Sequence, residues 1–163
     1  MKITIFVGRF PSPSQTFIVR KVKALAEKGE FVEVISFGRP QFKSHKKLVD
    51  NVKNIQIVYL PRDKGSNFQR VLAYSYLLCR GILKSPKDIY MFWGLARRFH
   101  PRNARSKYMR NYLGVVGLRS DIYHFEHGNL AAQYIDFIKT SAKPCVVSFR
   151  GSDINTYPYA NKE

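Results

Sequence analysis

The sequence predicts an open, doubly wound α/β domain built on a parallel sheet. Three observations carry this expectation. Short apolar runs rich in β-branched residues alternate with segments of helical periodicity along the chain. The stretch from Ile3 to Phe37 reads β-α-β with connections of ordinary length, the pattern of a right-handed crossover between parallel strands. Three polar, glycine-bearing loops each follow a strand, and sheets of this kind take ligands beyond the carboxyl ends of their strands.

Residues 3–7 (ITIFV) form a continuous apolar run, the composition of a strand buried on both faces. Ser12, Pro13 and Gln15 follow with the spacing of a capping box: Ser12 as N-cap, Pro13 at the first helical position, and Gln15 reaching back. Ile18, Val22, Leu25 and Ala26 then repeat on one helical face, and Gly29 ends the helix. Residues 31–37 (FVEVISF) are the second strand. Residues 41–54 are polar and basic, a loop or a frayed helix. Residues 55–60 (IQIVYL) are the third strand, stopped by Pro61.

Ser66 and Gln69 repeat the capping-box spacing, and Phe68, Val71, Leu72, Leu78 and Ile82 suit a buried helix face. Ser85-Pro86 opens another helix with Ile89, Phe92, Trp93, Ala96 and Phe99 in register, and Pro101 breaks it. A helix over 105–116, a strand over 121–125, a helix over 130–140 and a strand over 145–149 complete the alternation. No internal repeat or low-complexity tract interrupts it.

The 163 residues, 45% hydrophobic and 14% aromatic, suit one globular domain spanning 1–163. No apolar stretch reaches the length that crosses a bilayer. The N-terminal MKITIFVGRF is too short for a signal-peptide core and reads as the first strand, so a cytoplasmic protein is expected. Cys79 and Cys145 lie in apolar segments without metal-ligand spacing and are expected as buried, reduced thiols. The charge is the unusual quantity. Twenty-eight Lys and Arg against eleven Asp and Glu leave +17, a field that favours nucleic acid, acidic lipid headgroups or phosphorylated substrates.

The first loop, GRFPSPSQ, sets the bare backbone of Gly8 beside a helix start over residues 12–16. Uncapped N–H groups and the helix dipole there favour a phosphate or carboxylate; alternatively Ser12 only caps the helix. The three-glycine dinucleotide fingerprint and the Gly-Lys-Ser/Thr of a P-loop are both absent, which argues against nucleotide binding in either standard manner. The second loop gathers His124, Glu126 and His127 before Gly128, groups able to take a proton from an incoming hydroxyl. Strand alternation puts His124 and Glu126 on one side and His127 on the other, and a purely structural His–Glu pair is the competing reading. No fourth ligand has sensible spacing, so no metal site is expected. The third loop offers Arg150, Gly151 and Asp153. Arg150 could hold a phosphate or a pair of sugar hydroxyls, or pair with Asp153 to shape the turn.

At these loops the chain resembles the N-terminal half of a GT-B glycosyltransferase of the large retaining family called group 1 or family 4. Residues 10–18 (FPSPSQTFI) are similar to the family's F-P-x-x-S-E-T-F-I, and residues 24–29 (ALAEKG) to its helix end A-L-x-x-x-G. Residues 123–128 (YHFEHG) resemble I-H-A-H-F-G, and residues 146–153 (VVSFRGSD) resemble V-V-x-x-F-H-G-x-D. Gln15, Glu126 and Arg150 depart from the family's usual glutamate, histidine and histidine.

The resemblance implies one of two facing Rossmann-like domains, the half that binds the acceptor. It implies no cofactor on this domain and a nucleotide-diphosphate sugar as co-substrate, held mainly by a C-terminal donor-binding domain that this chain lacks. Glu126 and His127 would be catalytic, touching the acceptor hydroxyl or the transferred sugar. Gly8, Ser12, Ser14, Gln15 and Thr16 would line the cleft near the donor phosphates, while His124, Gly128, Arg150, Gly151 and Asp153 complete its wall. The expected partners are the nucleotide sugar, a glycan or lipid-linked acceptor of cell-surface polysaccharide synthesis, and the missing domain. The chain alone is expected to be inactive, because the donor diphosphate would lack its main cradle.

Lys43, Lys46, Lys47 and the run Arg97, Arg98, Arg102, Arg105, Lys107 and Arg110 suit a peripheral contact with an anionic inner membrane face. Tyr108, Met109, Tyr112 and Leu113 would give that segment its apolar side. The alternative is a solvated basic helix whose aromatics face the core. A non-catalytic basic module for nucleic acid or anionic membrane is the competing function, although no pattern for stacking bases favours nucleic acid.

Overall fold

A computed structural model describes residues 1–40, 49, 52–60 and 67–156. Strands β1 (Lys2–Val7), β2 (Phe31–Ser36), β3 (Ile55–Tyr59), β4 (Ile122–Phe125) and β5 (Cys145–Val147) form one parallel sheet in the order β3-β2-β1-β4-β5. The helices are α1 (Thr16–Glu27), α2 (Asn67–Lys84), α3 (Pro86–Phe99), α4 (Arg102–Leu113), α5 (Gly128–Gln133) and α6 (Ile135–Thr140). The α/β, Rossmann-like open sheet expected from the sequence is present. The chain divides into two compact units: Met1–Leu60 with Ser120–Glu163, which holds the sheet, and Pro61–Arg119, which holds α2 to α4.

In the sheet unit, β1 is central and buried on both faces, which is why it reads as an unbroken apolar run. Ile3, Ile5 and Val7 pack with Val32 and Val34 of β2 and with Ile18 and Val22 of α1. Phe6 points the other way, stacks on Phe125 at 4.3 Å between ring centroids, and lies 5.9 Å from both Tyr134 and Phe137. Helix α1 closes as its sequence requires. Gly29 takes φ +86°, a left-handed conformation that costs glycine little, and Glu30 N–H donates to Leu25 O at 3.2 Å.

The capping box at the front of α1 does not form. Pro13–Gln15 is a 3₁₀ turn, so α1 begins only at Thr16 and Gln15 itself becomes the residue before the helix. Ser12 is extended and its Oγ meets Ser14 Oγ at 3.0 Å. The helix expected over 130–140 is split at Tyr134, which leaves helical dihedrals while its ring packs against Phe6 and Phe37. Most of residues 41–54, with Lys43, Lys46 and Lys47, and Ser66 lie outside the described residues.

The helical unit corrects three expectations. Phe68, Val71, Leu72, Leu78 and Ile82 are exposed, and α2 turns Leu77 and Gly81 inward instead. A Cβ on Gly81 would stand 3.0 Å from Ile89 Cδ1 and 3.1 Å from Val116 Cγ1, so α2 packs through its small side. Cys79 is exposed on the outer face, and Cys145 is half-buried. Tyr108, Tyr112 and Leu113 of α4 are buried, with Tyr108 stacked on Tyr112 at 4.3 Å and Phe92 4.7 Å from Tyr112. The aromatics of the basic run therefore face the unit's own core and give it no apolar outer side. Arg97, Arg98, Arg102 and Lys107 are exposed. Arg105 is half-buried and donates to the carbonyls of His100 and Arg97, and Arg110 lies over the Tyr74 ring.

Candidate functional site

The strand order reverses between β1 and β4, which pair directly although most of the chain separates them. Open α/β sheets take their ligands outside the carboxyl ends of the strands at such a reversal. The loops after β1, β4 and β5 converge there, joined by one helix side chain, Lys21 of α1.

Glu126 directly follows β4, and its N–H donates to Phe6 O at 3.0 Å, continuing the ladder. Its side chain is fully buried. Lys21 Nζ donates to Oε1 at 2.6 Å and Arg150 Nη2 donates to Oε2 at 2.5 Å. Burial by itself would push this carboxyl up; the hydrogen bond and charge of Lys21, then His124 and the Arg150 hydrogen bond, outweigh it and hold the group below the ordinary glutamate range. The Arg150 guanidinium also lies over the Phe17 ring, 4.0 Å from its centroid.

His124 shares this side of the strand, as alternation requires, with Nδ1 3.9 Å from Glu126 Oε1 and Nε2 2.8 Å from Ser148 Oγ. Burial lowers its basicity first, the charges of Lys21 and Arg150 add to that, and Glu126 only partly opposes them. His124 therefore holds a proton less readily than an ordinary imidazole.

His127 lies between two other loops. Gln15 Nε2 stands 3.4 Å from its Nε2, and Asp153 Oδ2 stands 3.5 Å from its Nδ1. With the Gln15 amide donating, Nε2 is the accepting nitrogen and Nδ1 carries the proton that faces Asp153. Asp153 Oδ2 also accepts the backbone N–H of Gly128 at 3.1 Å and of Arg150 at 3.0 Å. The Arg150–Asp153 link is thus made by backbone N–H, while the guanidinium is committed to Glu126. Gly128 is needed for close approach: a Cβ there would meet Phe149 Cε1 at 2.7 Å.

The two residues expected to be catalytic part company in this geometry. His127 keeps 19% of its side chain exposed, whereas Glu126 keeps none and has both oxygens occupied. Glu126 anchors two cations, and of the two side chains only that of His127 is in part open to solvent. Gly8, Ser12, Ser14, Thr16 and Gly151 lie on the same loops; Ser12 O accepts the Gln15 N–H at 3.1 Å, but among the described residues no side-chain hydrogen bond or ion pair joins these five to the cluster. Gly8 has open space where a Cβ would stand. No group of three or more His, Cys, Asp or Glu among the described residues could hold a metal ion.

Lys21, Phe17 and Ser148 were not among the candidates from sequence. Lys21 carried a readable signal. It stands three residues after Ile18 and four before Leu25, on the apolar face of α1, where a charge requires a buried partner.

Comparison of the chain with protein-family models, with curated proteins and with solved structures found no match.

Proposed function

We propose that the chain is the acceptor side of a retaining glycosyltransferase. In this reading a sugar passes from a nucleotide-diphosphate sugar to a glycan or lipid-linked acceptor of cell-surface polysaccharide synthesis, on the cytoplasmic side of a membrane. One observation carries it: the three loops with family-like segments meet at the β1–β4 reversal, around His127, Arg150 and Lys21.

In this reading His127 Nε2 accepts a hydrogen bond from the acceptor or sugar hydroxyl, exchanging Gln15 for substrate. Asp153 holds the ring in the tautomer that leaves Nε2 free to accept. Glu126 keeps the Lys21 and Arg150 side chains, each about one-third exposed, at the rim of the site for the oxygens of an anionic substrate. The reading assigns the donor cradle to a second domain.

The test uses protein isolated from its source with an antibody to this chain, radiolabelled nucleotide sugars, and the source's own lipid and glycan fractions as acceptors. Label should move to one fraction, and His127→Ala should lower kcat/KM by about a hundredfold with the fold intact. Absence of transfer from every donor, by protein with a native circular dichroism spectrum, sets the reading aside.

A further inference from the structure

We infer that the exposed face of α2 seats the protein on an anionic lipid surface. Phe68, Leu72, Tyr76, Cys79 and Leu83 form one row along the helix, and Val71, Leu78 and Ile82 form the adjoining row with Ser75. All nine are exposed, Phe68 at 72% and Leu83 at 86%, and none carries a charge. At 1.5 Å per residue the face, from Phe68 to Leu83, runs for about 24 Å along the helix. A continuous apolar surface of that length marks an interaction site in a folded protein.

The charge of the helical unit decides the occupant. Between Asn67 and Leu113 the chain carries ten Lys and Arg and a single acidic residue, Asp88, which is already paired with Arg119. Lys84 follows Leu83 at the end of the face, and Lys84, Lys87, Arg97 and Arg98 are exposed. A second copy of the chain would match the apolar rows but bring two cationic surfaces together. Nucleic acid would match the cations and leave the apolar rows in water. A bilayer rich in anionic lipid supplies both contacts: headgroups for Lys and Arg, and the acyl boundary for Phe68, Leu72 and Leu83. Exposed Tyr76, Tyr90 and Trp93 are the side chains that favour that boundary. No helix among the described residues is long and apolar enough to cross a membrane, so α2 lies in the interface plane.

Cys79 allows a direct test, because it lies on the face itself. In a Cys145→Ser background it is labelled with an environment-sensitive fluorophore, and the protein is titrated with phosphatidylcholine vesicles with and without phosphatidylglycerol. The label should brighten and shift to the blue with anionic vesicles, with affinity about tenfold above that for phosphatidylcholine alone and falling as salt is raised. Cosedimentation of unlabelled protein should agree. Leu72→Glu and Leu83→Glu, at exposed positions that the fold does not need, should each weaken binding about tenfold while leaving the circular dichroism unchanged.

Absence of binding to anionic vesicles at low salt overturns the inference, as does binding that ignores both substitutions. A concentration-dependent dimer that Leu72→Glu abolishes, without vesicle binding, assigns the face to a second copy and overturns it as well. No sugar donor or acceptor enters the measurement, so its outcome is independent of the transferase reading.

Discussion

Lys21 Nζ lies 2.6 Å from Glu126 Oε1, joining the inner face of α1 to a fully buried carboxylate at the end of β4. Arg150 closes the other oxygen from the loop after β5. A carboxylate so placed would take up a proton if it were alone; with two cations beside it, it stays charged and fastens three segments of chain together.

Glu126→Gln keeps the volume but leaves Lys21 and Arg150 facing each other without their anion. Removing one partner of a buried pair costs about 3–5 kcal/mol, and because both cations are about one-third exposed the expected loss here is nearer ~2 kcal/mol, read from urea unfolding. The acid limb should change too. The folded carboxyl is held below its ordinary value of 4.5, so its contribution is complete above that pH and disappears as pH falls through the folded value. The variant should lack this part of the acid limb. Wild-type stability with an unchanged limb would show that the pair contributes nothing.

The effect of His124 sets in at a higher pH than that of Glu126. Its folded basicity is depressed below the ordinary value of 6.5, so between that pH and the lower folded value the unfolded chain binds the extra proton. Stability from this group is therefore complete above about pH 6.5 and is lost as pH falls below it. His124→Gln, which can still bond to Ser148 Oγ, should flatten the stability profile just below pH 6.5 while leaving most of the Glu126 limb, which Lys21 dominates, in place. Denaturant midpoints across the range from neutral to acid separate the two.

Gly128→Ala tests the close approach between the β4 and β5 loops. The new methyl would enter the Phe149 ring at 2.7–2.8 Å, and that ring is largely exposed and free to swing outward. The expected cost is about 1 kcal/mol in thermal unfolding, because the ring yields before the backbone does. In the double variant with Phe149→Ala the clash is gone and alanine's helix preference acts at the start of α5, so stability should return to that of Phe149→Ala alone or exceed it. A double variant as damaged as Gly128→Ala would locate the strain in the backbone.

The parts legible in the sequence were those in which one physical cause acts alone. Burial on both faces makes β1 a continuous apolar run and leaves β2 apolar but for Glu33 and Ser36, and the left-handed turn after α1 needs Gly29, so the first β-α-β was readable residue by residue. Periodicity showed that Phe68, Val71, Leu72, Leu78 and Ile82 share a face of α2, but not whether that face turns to protein or to solvent; Gly81, through its contacts with Ile89 and Val116, settles the packing on the other side. The site loops were legible because each follows a strand. Their internal pairing was not, because it depends on the register that sets Phe6 beside Phe125 and so delivers Glu126 to Lys21 and His127 to Gln15.

Asp153 offers the sharpest test of how His127 is held. One oxygen of its carboxylate accepts the N–H groups of Gly128 and Arg150 and faces His127 Nδ1. Asp153→Ala leaves two backbone donors without that acceptor, a loss of about 2 kcal/mol given that both are only part-buried. Stability alone would not separate a turn-shaping role from an orienting one, so the decisive readout is the tautomer. In the wild type the ¹⁵N shifts of the neutral His127 ring should report a protonated Nδ1 and an unprotonated Nε2. In Asp153→Ala the ring should relax toward the Nε2–H form that free imidazole side chains prefer, while His124, bonded to Ser148 on the other side of the strand, keeps its signals. An unchanged His127 tautomer in the variant would mean that Asp153 shapes the turn and leaves the imidazole to Gln15.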